Sequence, residues 1–306
     1  MFGRKKKVED KDDQNKIEKS RSGSDGIVSA GFNSSIPRPS MPFGDNESRH
    51  SEIKQEQMEK IRKFLDPKNP SHKYHVNGTV SYNLREYDKA IEEFDKAIAY
   101  DPNDTLAHFK KGESLYQLGR YDEALKAYDE VIRINPNYDD AHFGKGNVLF
   151  DIERYDEALK AYDEVIRINP NGYGGHFNKA LIFEKLDRKE ESLQEYDKAI
   201  RLAPNNADVH NNKANVLKRS GDLHEAMEEV DLALGIDSDD VVFLLTKAEI
   251  YALEDRINEG LDLLREKIFS SAFLRTELKE IISNELNLPN LSDNEKQLLN
   301  KISSEL

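Results

Sequence analysis

Cysteine and tryptophan are both absent from this 306-residue chain. Without cysteine there is no disulfide framework and no thiol catalysis, and the composition fits a reducing cytoplasm, where the protein is expected to reside. Nowhere do about 18 apolar residues run together, so no membrane-spanning helix is expected. The opening MFGRKKKVED carries charge with no apolar run behind it, which is not the pattern of a secretory signal. A Ser/His/Asp order, a glycine-rich phosphate loop and a clear pair of catalytic carboxylates are likewise missing. The sequence therefore points away from an enzyme, and neither a cofactor nor a metal is expected.

Positive charge is also scarce outside the first seventy residues. The formal net charge is −14. Residues 1 to 70 hold 15 Lys and Arg against 12 Asp and Glu, a net of +3, while the remainder holds 30 against 47, a net of −17. An acidic body repels a polyphosphate backbone, so nucleic acid is not expected as the main ligand. A neutral or basic segment of another protein is the partner this charge favours.

Proline numbers only 10, but its placement is regular. Pro102, Pro136, Pro170 and Pro204 stand 34 residues apart, with Ser238 where the next would fall. Gly78, Gly112, Gly146, Ala180, Ala214 and Ala248 keep the same step, as do Ala90, Ala124, Ala158, Ser192, Ala226 and Gly260. Six stretches of 34 residues result: 71–104, 105–138, 139–172, 173–206, 207–240 and 241–274. A fixed period of this length marks a stack of units, each burying its apolar face only against its neighbours. Within 139–172, the segments 141–150 and 156–168 read as two helices joined by a short turn near Glu153. The second shows a period near 3.6 in Ala158, Leu159, Tyr162, Val165 and Ile166. Small residues let the two backbones approach, Asn-Pro-Asn ends the second helix, and Asp104 and Asp139 are placed to favour the next helix start. Repeat six departs most from the pattern, with Gly260 and Lys267 where alanine is usual.

Counting places from Ser71, small residues at the eighth and twentieth, an aromatic at the twenty-fourth (Phe94, Tyr128, Tyr162, Tyr196) and proline at the thirty-second resemble the tetratricopeptide repeat family. The resemblance covers 204 of 306 residues. It implies an all-α, right-handed solenoid of six helix-turn-helix repeats and a role in protein–protein interaction. The chain departs from that pattern at two series. The fourth place carries Tyr74, His108, His142, His176 and His210, and the seventh carries Lys111, Lys145, Lys179, Lys213 and Lys247. Stacked helices lie roughly 8 to 10 Å apart, too far for equivalent histidines to share a zinc ion, whose ligand nitrogens sit within about 4 Å of one another. The histidines are expected to pack as aromatics, and the lysines to lay their stems on the surface with the amines in water.

The resemblance also implies a concave groove lined by places two, five, six, nine and twelve. Those places supply Phe109, Phe143, Phe177 and Asn211, then Lys110, Asn178 and Asn212, then Asn147 and Asn215. An asparagine amide both donates to and accepts from a peptide backbone, so such a row suits an extended segment, with the phenylalanines as apolar contacts. The clamp by which some family members hold an acidic carboxyl terminus is not matched, because Phe143, Asp208 and Asn212 stand where its cations belong.

The flanks read differently. Residues 1–50, polar and poor in apolar side chains, are expected to be disordered. Ile53, Met58, Ile61 and Leu65 suggest an amphipathic helix over 51–65 that covers the first repeat, with 66–70 as linker. Residues 275–306 are expected to form capping helices, the last opened by a Ser292–Glu295 capping box. A peptide-binding module is the first functional expectation. A scaffold that self-associates or bridges subunits through its ends or convex face is the alternative, and a tail that occupies its own groove a third.

Overall fold

Alternating short apolar stripes and proline turns write the fold as a chain of helical hairpins. The computed structural model describes residues 70–267, 272–288 and 290–305. The expected tail and the helix expected over 51–65 lie outside the described residues. Six hairpins follow one another: α1 (Pro70–Asn83) with α2 (Tyr87–Tyr100), α3 (Thr105–Gln117) with α4 (Tyr121–Ile134), and α5 (Asp139–Asp151) with α6 (Tyr155–Ile168). Then come α7 (Gly174–Lys185) with α8 (Lys189–Leu202), α9 (Ala207–Arg219) with α10 (Leu223–Ile236), and α11 (Val241–Leu253) with α12 (Ile257–Lys267). Two more helices, α13 (Ala272–Glu285) and α14 (Asp293–Glu305), close the array. The result is a right-handed α-solenoid without strands among the described residues. α13 begins at Ala272, inside the sixth 34-residue stretch, where the repeat pattern is weakest.

Turn chemistry explains the helix ends. Between hairpins, Asp104 accepts from Ala107 N at 3.0 Å, Asn206 from Val209 N at 3.1 Å and Asp240 from Phe243 N at 3.0 Å, each satisfying an orphan donor of the next helix. Asp139 instead occupies the first turn of α5, where the helix dipole favours a carboxylate. Within hairpins, the fifteenth place always takes a positive φ: Arg85, Gly119, Glu153, Asp187, Gly221 and Asp255. Only two of those six residues are glycine, the residue for which that conformation is free of steric cost.

Packing centres on the aromatic of each second helix. Phe94, Tyr128, Tyr162 and Tyr196 are fully buried. Close approach of the first helix is what makes room for them. A Cβ added at Gly146 would lie 2.6 Å from Tyr162 Cε1, so any larger residue there must push the ring out of its slot. At the far end, Leu278 and Ile282 of α13 and Leu298, Leu299 and Ile302 of α14 join Val241, Leu244, Leu245 and Leu264 in one core. Ser292 and Glu295 form the reciprocal capping box that opens α14, with Ser292 N donating to Glu295 at 2.8 Å and Glu295 N to Ser292 Oγ at 3.2 Å.

The seventh-place lysines do not end in water. Lys111, Lys145, Lys179, Lys213 and Lys247 reach back to Asp95, Asp129, Asp163, Asp197 and Asp231 at 2.6–2.7 Å. Each rung joins the second helix of one hairpin to the first helix of the next, so the series is an ionic ladder between repeats. The histidines also differ from the expected aromatic packing. Their Nε2 atoms donate to the carbonyls of Pro102, Pro136 and Pro204 at 3.0–3.1 Å from His108, His142 and His210. A histidine at the fourth place thus ties α3, α5 and α9 to the turns that precede them, while His176 of α7 pairs through Nδ1 with Glu195 at 2.6 Å.

Candidate functional site

The first helices α3, α5, α7, α9 and α11 supply one wall of the solenoid, and the residues expected to line its groove fall into three groups. Phe109, Phe143 and Phe177 are buried. Their rings lie 5.9, 5.7 and 6.0 Å from those of Tyr128, Tyr162 and Tyr196, in tilted or edge-on contact that locks the two helices of one hairpin together. They are core, not an exposed apolar stripe, because a ring at the fifth place reaches the gap under the twenty-fourth-place aromatic. Lys110 and Asn215 are half-buried and stay within reach of solvent.

Asn147, Asn178, Asn211 and Asn212 form the third group and are buried. Asn147 Oδ1 accepts from Tyr162 Oη at 2.7 Å and from Asn178 Nδ2 at 3.3 Å, a bridge that links α5, α6 and α7. The other ends of these amides find no partner within the protein: Asn147 Nδ2, Asn178 Oδ1, Asn211 Oδ1 and Asn212 Nδ2. Two donors and two acceptors on three successive first helices therefore retain hydrogen-bonding capacity, and each such unmet group costs about 1–3 kcal/mol. Folding alone gives no reason to keep them.

Charge on the wall is carried by carboxylates that sequence reasoning did not single out. Glu113 at the ninth place of α3 and Glu249 at the ninth place of α11 are buried. Lys110 Nζ lies 2.7 Å from Glu113 Oε2, and Lys218 of α9 donates to Glu249. Glu184 at the twelfth place of α7 accepts from Arg219 and from Tyr196 Oη. Burial pushes all three carboxyls above the ordinary range, and the paired cations offset only part of it. The signal for Glu113 was present in the sequence as a lysine three residues earlier on an otherwise small and apolar helix face. The partner of Glu249 was harder to see, since it comes from the preceding repeat.

At one edge acids crowd together. Burial and the charge of Asp237 raise Asp208, burial with Asp237 and Asp208 raises Asp240, and burial with Asp240 raises Glu277. The wall cations Lys110, Lys218 and Arg219 are each already engaged by a carboxylate. No cluster of three or more metal-binding side chains occurs among the described residues. None of the described helices is long and apolar enough to cross a membrane.

Comparison with known proteins agrees with this geometry. Tetratricopeptide repeat models match residues 77–139, 115–176, 173–206 and 195–228. No protein of curated function matches the sequence. Among solved structures, PilW, titled a widely conserved type IV pilus biogenesis factor, is 17% identical with a TM-score of 0.58 over 68% of this chain and 98% of its own. PilF of Pseudomonas aeruginosa is 16% identical with a TM-score of 0.56 over 69% and 96%. MamA from residue 41 onward, from Desulfovibrio magneticus RS-1, is 21% identical with a TM-score of 0.51 over 55% and 95%. At these identities the likeness is one of fold.

Proposed function

The chain belongs to the tetratricopeptide repeat family, whose members mediate protein–protein interactions, and we propose that it is a non-enzymatic module that holds an extended, neutral or basic segment of a partner along its first-helix wall. The observation that carries this reading is the amide row. Asn147, Asn178, Asn211 and Asn212 keep two donors and two acceptors unmatched within the protein, and an extended backbone presents the same alternation of carbonyl and amide. Asn215 and Lys110, nearer the surface, would meet the segment first. Phe109, Phe143 and Phe177 act from behind by fixing the helix spacing. The crowded Asp208, Asp237 and Asp240 edge favours lysine and arginine in the bound segment, and such surface attraction fades at high salt.

Because the amides are buried, binding requires neighbouring first helices to part slightly, a motion open to an array in which each unit touches only its neighbours. The experiment is affinity capture from native lysate with the intact chain and with the Asn178→Ala/Asn212→Ala double variant. A partner retained by the intact chain and lost by the variant, at unchanged helical circular dichroism, is the expected result. Equal capture by both overturns the role given to the amide row.

Bridging through the ends is the second reading, and the two ends differ. The buried core formed by α13 and α14 with α11 and α12 favours the N-terminal end over the C-terminal one as a contact surface.

A further inference from the structure

The first hairpin exposes the face that every later hairpin buries. Val80 of α1 is 51% exposed and Val76 is 46% exposed. At steps of 34 from Val80 stand Ser114, Val148, Ile182, Val216 and Ile250, all buried. The sixth place behaves alike from the third hairpin on, since Gly144, Asn178, Asn212 and Thr246 are buried where Val76 is open, with Lys110 of the second hairpin half-buried. In the inner hairpins these places lie against the preceding hairpin, and α1 has none before it among the described residues. Beside them runs an open groove lined by Asn77, Val80, Ser81, Lys89, Glu92 and Glu93.

We infer that this face is the docking site of the chain's own residues 51–65. Three observations single out that occupant. Leu65 is separated from the start of α1 by 66–69, four residues, and inner connections such as 101–104 and 203–206 have the same length. Asp66-Pro67 repeats the dipeptide Asp101-Pro102 that precedes α3. On a helix, Met58, Ile61 and Leu65 share one face, which matches the apolar face of Val76 and Val80, while Arg62, flanking that face, is available to Glu92 and Glu93. Residues 51–65 thus stand in for the second helix of a missing preceding repeat. The solenoid then has both ends covered, and its first-helix wall is left as the surface for partners.

The absence of native cysteine makes the test clean, because every link must come from introduced thiols. In the full-length chain, Val80→Cys is combined in turn with Met58→Cys, Ile61→Cys, Leu65→Cys and, as a control on the opposite helix face, Lys63→Cys. Oxidation is followed on non-reducing gels. The expected result is an intramolecular disulfide for at least one of the three apolar-face pairs, forming about tenfold faster than for the control because of the higher effective concentration. A disulfide-linked dimer as the main product overturns the inference in favour of a second copy as occupant. Equal rates in all four variants, or no link in any, overturn it in favour of an undocked segment.

Discussion

The inter-repeat rungs and the inner wall are built from the same helices, yet they satisfy their polar groups in opposite ways. Each rung pairs a lysine with an aspartate at 2.6–2.7 Å, about half-exposed on the acid side, so neither charge is stranded. The wall buries amides whose donors and acceptors have no partner inside the protein and carboxyls whose charge is penalised. Register is therefore held by contacts that are individually cheap, while unmet hydrogen-bonding groups are kept where burial is costly.

The largest effect should come from the layer between the two. Phe143→Ala removes a buried ring packed on Tyr162 and is expected to cost about 3–5 kcal/mol in urea unfolding. A loss under about 0.5 kcal/mol, typical of an exposed site, would return this ring to the groove surface. Glu195 comes next. Burial raises its carboxyl, but the bonds from His176 and Lys198 and the charge of Lys179 outweigh that and hold it at about 2. A depressed folded value contributes stability above the ordinary carboxylate range, and that contribution is lost as pH falls from about 4.5 towards 2. Glu195→Gln should accordingly cost about 2 kcal/mol at pH 7 and almost nothing near pH 2, as read from paired melts across that interval.

Smaller and opposite in sign, Asn178→Leu is expected to stabilise the chain by about 1 kcal/mol, because it deletes an unmet acceptor while Tyr162 still satisfies Asn147. The same variant should lose the partner, and a destabilised variant would contradict the contrast drawn between wall and rungs. The smallest change belongs to Lys145→Ala, about 0.5 kcal/mol at low salt and near zero at 1 M, where screening is strong. Persistence of the full effect at 1 M would mean that the rung acts through its buried stem.

Periodicity made the fold legible, since Gly146, Ala158, Tyr162 and Pro170 each mark a contact that recurs at a step of 34. What it concealed was depth. Place numbers say which side of a helix Phe143 and Asn178 occupy, but whether a side chain tops the wall or sinks beneath it depends on how closely the helices stack. The rungs were hidden for another reason. Lys145 and Asp129 belong to different hairpins, 16 residues apart, a separation that no single-helix pattern brings together, although aspartate recurs at Asp95, Asp129, Asp163, Asp197 and Asp231. Glu249 and Lys218 elude sequence in the same way. The histidines misled because a ring suggests stacking, whereas the carbonyls of Pro102, Pro136 and Pro204 call for a donor.

The fifteenth-place turns leave this array with unused robustness. Arg85, Glu153, Asp187 and Asp255 hold a left-handed conformation that Gly119 and Gly221 adopt without steric penalty. Four hairpins thus carry a small local handicap at positions remote from both the wall and the rungs. Glycine at Glu153 or Asp187 would relieve that handicap at positions outside the amide row and the lysine–aspartate rungs, whereas Asp255 also accepts from Asn294 Nδ2 at 2.7 Å and would forfeit that tie to α14.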